Sequence, residues 1–260
     1  MKSLIKKLAQ TNTGILLRNS INFRPIVFKK PLNANYPITV SDAFLWRTDN
    51  GFKTKFKYSD ILNLFYKIDN SWVEFHFYSK KNELIKIEKV FDLHLSNEIE
   101  ISSKYLNNIE DYGTFYIYHF SNKNINSLSN NDIIVNRCYL GYSKNNNLHS
   151  YVHGNTLGKF TDIYSEKNIL SDIVKMSLFL NHTYTIQKYF DNIDKNELLF
   201  TNPTSKIIKF SIESNTFKLK PNFTMLIETK NPIITIKSNC LFFRPTIFTY
   251  KENYLDVHHS

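Results

Sequence analysis

The chain has 260 residues, which suits one large domain or two of ordinary size. Hydrophobic residues make up 42% and aromatics 15%, enough to build a core and too many for a disordered chain. Six Gly and seven Pro exclude collagen-like and low-complexity sequences, no apolar run approaches the ~18 residues of a membrane-spanning helix, and two Cys exclude a disulfide scaffold or an all-cysteine zinc site.

The formal net charge is +10, but it is unevenly placed. Before Asp42 there is no acidic residue, while Lys2, Lys6, Lys7, Arg18, Arg24, Lys29 and Lys30 are all basic. The rest of the chain sets 26 basic against 23 acidic side chains, a net of +3. Lys beyond residue 41 is dispersed among Asn, Glu and Asp, which argues against a nucleic-acid partner, since such a partner asks for a basic stripe. Residues 1–21 therefore read as a basic N-terminal segment. Leu4, Ile5 and Leu8 are at helical spacing, with Lys2, Lys6 and Lys7 largely elsewhere, so residues 1–20 suit a short packed helix, an organellar transit peptide (basic, hydroxyl-bearing and free of acids) or weak contact with a membrane surface. Lys6 and Lys7 break the apolar region a secretory signal needs. That, with the lack of paired cysteines, points to a cytoplasmic location.

From residue 22 the pattern is β: Val, Ile, Thr, Tyr and Phe alternate with polar residues between Asn-rich turns. In chain order the expected strands are Asn22–Lys29, Phe52–Tyr58, Trp72–Tyr78, Leu84–Phe91, Glu98–Ser102, Gly113–Phe120, Ile133–Tyr142, Leu148–His153, Glu197–Thr201, Lys206–Glu213, Thr216–Leu219, Thr224–Thr229, Ile233–Lys237 and Leu241–Tyr250. Ser59–Ile68 places Ile61, Leu62, Phe65 and Ile68 on one helical face, with Ser59 or Asp60 as N-cap. Asp172–Phe190 is ambiguous by period: its first part suits a helix, whereas Thr183, Tyr184, Thr185 and Ile186 have strand character. Phe52-Lys53-Thr54-Lys55-Phe56-Lys57-Tyr58 interleaves aromatics with lysines, as a half-buried strand does.

Closely spaced short strands with few helices imply an all-β, antiparallel β-sandwich. An internal echo, Phe23-Arg24-Pro25-Ile26-Val27-Phe28 against Phe243-Arg244-Pro245-Thr246-Ile247-Phe248, suggests two related sandwich-like halves, residues 22–160 and 161–260, with one or two short helices. Arg is scarce: Arg18, Arg24, Arg47, Arg137 and Arg244. In a chain that otherwise uses Lys, an Arg marks a place where a planar fork is wanted.

No phosphate loop, dinucleotide fingerprint, nucleophile elbow or H-E-x-x-H motif is present. Residues 153–159 mimic a phosphate loop, but the glycines are too close and Phe160 stands where a hydroxyl is required. The sequence does not identify a cofactor. The candidate site is the hairpin over residues 137–155. Arg137, Tyr139 and Gly141 are expected on one face, and His149, Tyr151 and His153 share a face of the returning strand. Gly154 lets the backbone turn just past His153, next to Asn155. At the C-terminal end, Asp256 and His258 point the same way on a strand, as a carboxylate–imidazole pair would. With Arg244, these residues suit a polar or anionic ligand, a glycan first of all, bound without catalysis. The alternative is a histidine-centred enzyme, hydrolase-like and possibly metal-dependent, assembled from His149, His153, Asp256 and His258. A third reading is peripheral membrane association through the basic N-terminus.

Overall fold

The computed structural model describes residues 38–122, 133–136, 138–145, 147–154, 157–162, 171–172, 181–186, 192–240 and 243–259, with seven residues between 5 and 17. The protein is an all-β, sandwich-like fold of antiparallel sheets. The strands are β1 (Ile38–Asp42), β2 (Phe44–Arg47), β3 (Phe52–Tyr58), β4 (Ser71–Ser79), β5 (Leu84–Val90), β6 (Asn97–Ile101), β7 (Tyr112–Ser121), β8 (Ile133–Val135), β9 (Tyr139–Lys144), β10 (Ser150–His153), β11 (Leu157–Asp162) and β12 (Ser171–Asp172). Then follow β13 (His182–Ile186), β14 (Lys195–Thr201), β15 (Ile208–Ile212), β16 (Asn215–Leu219), β17 (Thr224–Thr229), β18 (Ile234–Ser238), β19 (Thr246–Lys251) and β20 (Tyr254–His259). The α-helix α1 (Ile61–Tyr66) starts where the side chain of Asp60 accepts the Asn63 N–H at 3.1 Å and stops at Lys67 in the left-handed conformation.

The strands form four-stranded sheets in the orders β12-β11-β1-β8, β10-β9-β3-β6, β2-β7-β4-β5, β17-β14-β19-β20 and β13-β18-β15-β16. Pairing is antiparallel except that β8 runs parallel to β1. Two cores result. The first is aromatic, with Phe44, Phe56, Phe75, Phe77 and Phe115 packed edge-to-face and stacked between β10-β9-β3-β6 and β2-β7-β4-β5. The second, with Leu198, Phe200, Phe210, Phe243 and Ile247, lies between β17-β14-β19-β20 and β13-β18-β15-β16.

The sheet β17-β14-β19-β20 serves both cores. Leu199, Phe248 and Val257 belong to the first, whereas Leu198, Phe200 and Ile247 belong to the second. A seam of polar contacts runs between them. Arg47 is buried, its guanidinium 4.0 Å from the Phe52 ring centre and 4.9 Å from that of Phe248, and it bonds to Asp49 and Glu197. Tyr250 donates to Glu197 at 2.7 Å, and Lys195 bridges Glu197 and Glu228. Burial opposes the charge on Arg47, but Asp49, Tyr250 and Glu197 outweigh it and hold the group above its ordinary pKa. The planar fork expected of a rare arginine is realised at this position.

Several elements differ from the pattern read along the chain. Residues 38–47 form β1 and β2, which are buried almost throughout and so show no alternation. Ile133–Tyr142 is not one strand but two, β8 and β9. The Asn136 side chain turns inward between them, donating to Val40 O at 3.1 Å and Ile117 O at 2.9 Å. His182–Ile186 is a strand, as its β-branched residues suggest. The C-terminal stretch is strand β20, paired with β19. The Asn22–Lys29 strand and the first copy of the F-R-P echo lie outside the described residues, as do most of the residues around the expected division near 160.

Candidate functional site

The outer face of β10-β9-β3-β6 carries the hairpin residues. Strand pairing sets them in cross-strand rows. His153, Tyr139, Lys57 and Glu98 form one row, and Tyr151, Gly141, Lys55 and Glu100 the next. Gly141 is required here: the Tyr151 ring lies where its Cβ would be, and Lys57 sits 5.1 Å from the centre of that ring. His149 caps the neighbouring row, its Nε2 3.2 Å from Ser143 Oγ and its ring 6.0 Å from Tyr151. Burial, helped by the Lys55 charge, keeps that imidazole below its ordinary pKa. The lysines are largely occupied by the acidic strand β6, with Lys55 2.7 Å and Lys57 3.5 Å from Glu98.

At the end of this face is a cleft of about 360 Å³ lined by Asp42, Phe44, Val135, Asn136, Cys138, Tyr139, His153 and Gly154. Its back wall is built by β1. The β1–β11 register shifts between Ser41 and Asp42, a bulge that re-aims Asp42. Gly158 sits under this bulge, where a Cβ would collide with the Ser41 carbonyl and the Ala43 nitrogen. Gly154 likewise leaves room for the Asp42 carboxylate and the Phe44 ring, both of which a Cβ would strike. Asn136 is fully committed within the wall: its amide donates to two carbonyls, and its Oδ1 takes the Nε2–H of buried His119. Besides Asn136, the polar side chains that line the cleft include Asp42, Tyr139 and His153. Tyr139 is 56% exposed, enough to offer its ring as a platform. Burial, with the Asp42 charge, holds the Cys138 thiol well above its ordinary pKa, the opposite of what a nucleophilic thiolate needs.

Of the residues singled out in the sequence, Tyr139, His149, Tyr151 and His153 share this face. Arg137 and Asn155 lie outside the described residues. Asp256 is at the margin, accepting from Ser150 Oγ at 3.2 Å. His258 turns away: its Nε2 is 3.0 Å from Thr249 Oγ1, and burial lowers its pKa to about 4. Arg244 is exposed just before β19, where its charge acts on Tyr184 at the edge of the second sandwich. The imidazole that reaches the hairpin from the C-terminal strand is His259, 3.1 Å from His153. Period-two reasoning puts His258 and His259 on opposite faces but leaves open which face meets the hairpin. Asp42 and Asn136 were invisible as site residues, because nothing in the chain marks a bulge or a break at those positions. Among the described residues no group of three His, Cys, Asp or Glu side chains is set to hold a metal ion.

Compared with protein-family models, with curated proteins and with solved structures, the chain has no match in any of the three.

Proposed function

We propose that the protein is a non-catalytic binding module that takes a glycan in the cleft between the β1–β2 corner and the β9–β10 hairpin. The observation that carries this reading is the composition of the cleft: an exposed Tyr139 ring beside the Asp42 carboxylate and the His153 imidazole. A phenol ring stacks on the C–H face of a sugar, while a carboxylate and an imidazole accept or donate to its hydroxyls. The carboxylate favours a neutral, hydroxyl-rich ligand over a free anion. Catalysis is disfavoured by the protonated Cys138 thiol and by the separation of His258, bonded to Thr249, from His153.

The test is binding of the purified chain to an array of neutral and acidic glycans, followed by calorimetry on the hits. Tyr139→Ala should weaken a hit by about tenfold or more, and Gly154→Val should abolish it by displacing the Asp42 carboxylate and the Phe44 ring that a Cβ there would strike. Absence of any glycan hit, or hits indifferent to both substitutions, overturns the reading.

The N-terminal segment supports a second role. Ile5, Leu8 and Leu17 lie on helical backbone and are 60%, 59% and 63% exposed, with Lys7 beside them. We propose that residues 1–20 rest on anionic membrane surfaces. Binding to phosphatidylserine vesicles should weaken with salt and vanish on deletion of residues 1–20; vesicles that never retain the full chain refute this.

A further inference from the structure

We infer that His153 and His259 form a two-imidazole site for a divalent cation of the kind that prefers nitrogen, such as zinc, copper or nickel. The two residues are 106 positions apart and lie on the edge strands of different sheets, β10 and β20. Nε2 of His259 is 3.1 Å from Nδ1 and 3.3 Å from Nε2 of His153, with ring centres 4.4 Å apart and planes inclined by 56°. Two nitrogens that each ligate a tetrahedral zinc at about 2.0–2.1 Å are separated by about 3.3 Å. The pair already has the spacing of adjacent metal ligands.

Nε2 of His259 is almost equally near both His153 nitrogens, so it lies over the His153 ring face and neither in-plane lone pair of His153 addresses it. Joint ligation takes a rotation of the His153 ring about its side-chain bonds, which turns one nitrogen toward a point shared with His259. The backbones that carry the rings are held independently of any ion. β10 is paired with β9, β20 with β19, and Ser150 Oγ joins the two strands by accepting the Val257 N–H at 2.9 Å and donating to the Val257 carbonyl at 3.3 Å. Tyr139 is the cross-strand partner of His153 and Asp42 lines the same cleft, but among the described residues no third His, Cys, Asp or Glu is grouped with the pair as a ligand. With two protein ligands and water filling the remaining positions, the site is exchangeable and of micromolar strength, unlike the closed four-ligand sites that hold structural zinc. A bound cation would tie the two edge strands together.

The inference does not depend on the glycan reading, because its probe is the metal alone. Untagged full-length protein is titrated calorimetrically with copper, nickel, zinc and magnesium. One equivalent should bind, copper most tightly, and magnesium should not bind. His153→Ala and His259→Ala should each weaken zinc by about tenfold or more, while His94→Ala and His149→Ala leave it unchanged. Zinc should also shift the imidazole NMR signals of two histidines in the unaltered protein, a readout that survives if a variant folds poorly. No binding at millimolar zinc, binding that persists in both His153 and His259 variants, or zinc-induced shifts at other histidines would overturn the site.

Discussion

His119 shows how a single side chain ties the wall of the cleft to stability. It is wholly buried, its backbone N–H bonds to Thr39 Oγ1 at 3.1 Å, and its Nε2–H is taken by Asn136. Burial lowers its pKa from 6.5 to about 4. The folded state therefore holds the ring neutral, while the unfolded chain protonates it below about 6.5. Its contribution is complete above that pH and is lost as pH falls toward 4, by about 3 kcal/mol over the window. Urea denaturation at neutral pH and at about pH 4.5 should show this slope, and His119→Gln should reduce it. The slope should not vanish, because burial also lowers the pKa of His76 and His258. Gly113 makes a second residue-scale case. A Cβ there would collide with the Tyr78 carbonyl and the Trp46 indole, whose Nε1 donates to that same carbonyl at 2.9 Å. Gly113→Ala should destabilise by about 2 kcal/mol, read as a lower denaturation midpoint.

Among the elements, β14 has an unusual load. Most strands here bury one face, and edge strand β5 buries little, with Leu84 and Ile87 exposed beside Lys86, Glu88 and Lys89. In β14 the consecutive residues Leu198 and Leu199 are both fully buried and serve different cores. Leu198→Ala and Leu199→Ala should each destabilise by about 3 kcal/mol, whereas Ile87→Ala should change stability by less than about 0.5 kcal/mol. Equal losses at two adjacent positions are the signature of a strand packed on both sides. A small effect at either leucine would mean that one of the two cores is not closed against this sheet. β1 shows a related economy at its contact with β7. Beyond the reach of β2, the N–H groups of Ile117 and His119 are satisfied by the hydroxyls of Ser41 and Thr39, so side chains complete a ladder that backbone does not.

At the scale of the molecule, the two cores are joined through charge as well as through a sheet. Arg47 reaches from the first unit to Glu197 of the shared sheet, and Thr114 Oγ1 lies 2.8 Å from both Thr201 and Thr224 Oγ1. Arg47→Met leaves two carboxylates facing a buried space and should destabilise by about 3–5 kcal/mol. Adding Glu197→Gln should recover part of that loss, and a double-mutant cycle of chemical denaturation checks the coupling. Since the first core includes Leu199, Phe248 and Val257, unfolding should be a single cooperative step. Buried Trp46 fluorescence and far-ultraviolet circular dichroism should report the same midpoint; separate midpoints would show that the cores unfold independently.

Composition and period were enough for the class of fold and for many of its strands. Phe52–Tyr58 falls where alternation puts it, because it has one face in a core and a more exposed opposite face. Thr224–Thr229 is a strand as its β-forming residues suggest, although its apolar residues pack against both cores, and Asp60 caps its helix as its short carboxylate allows. Alternation also put Tyr139, Tyr151 and His153 on a common face, since a strand's period of two is a local property. What depends on long-range packing was not legible. β1 and β2 are buried on both sides and carry no alternation, whereas β14, likewise buried on both sides, matches the strand expected at Glu197–Thr201 through its β-forming residues. Asn136 looks like any polar residue in a strand until the carbonyls of Val40 and Ile117 are placed beside it. The choice of His259 over His258 as the partner of His153 is set by which face of β20 covers the first core, where Val257 is buried. Residue order alone gives the two histidines opposite faces; only the docking of β20 beside β10 decides which imidazole meets the hairpin.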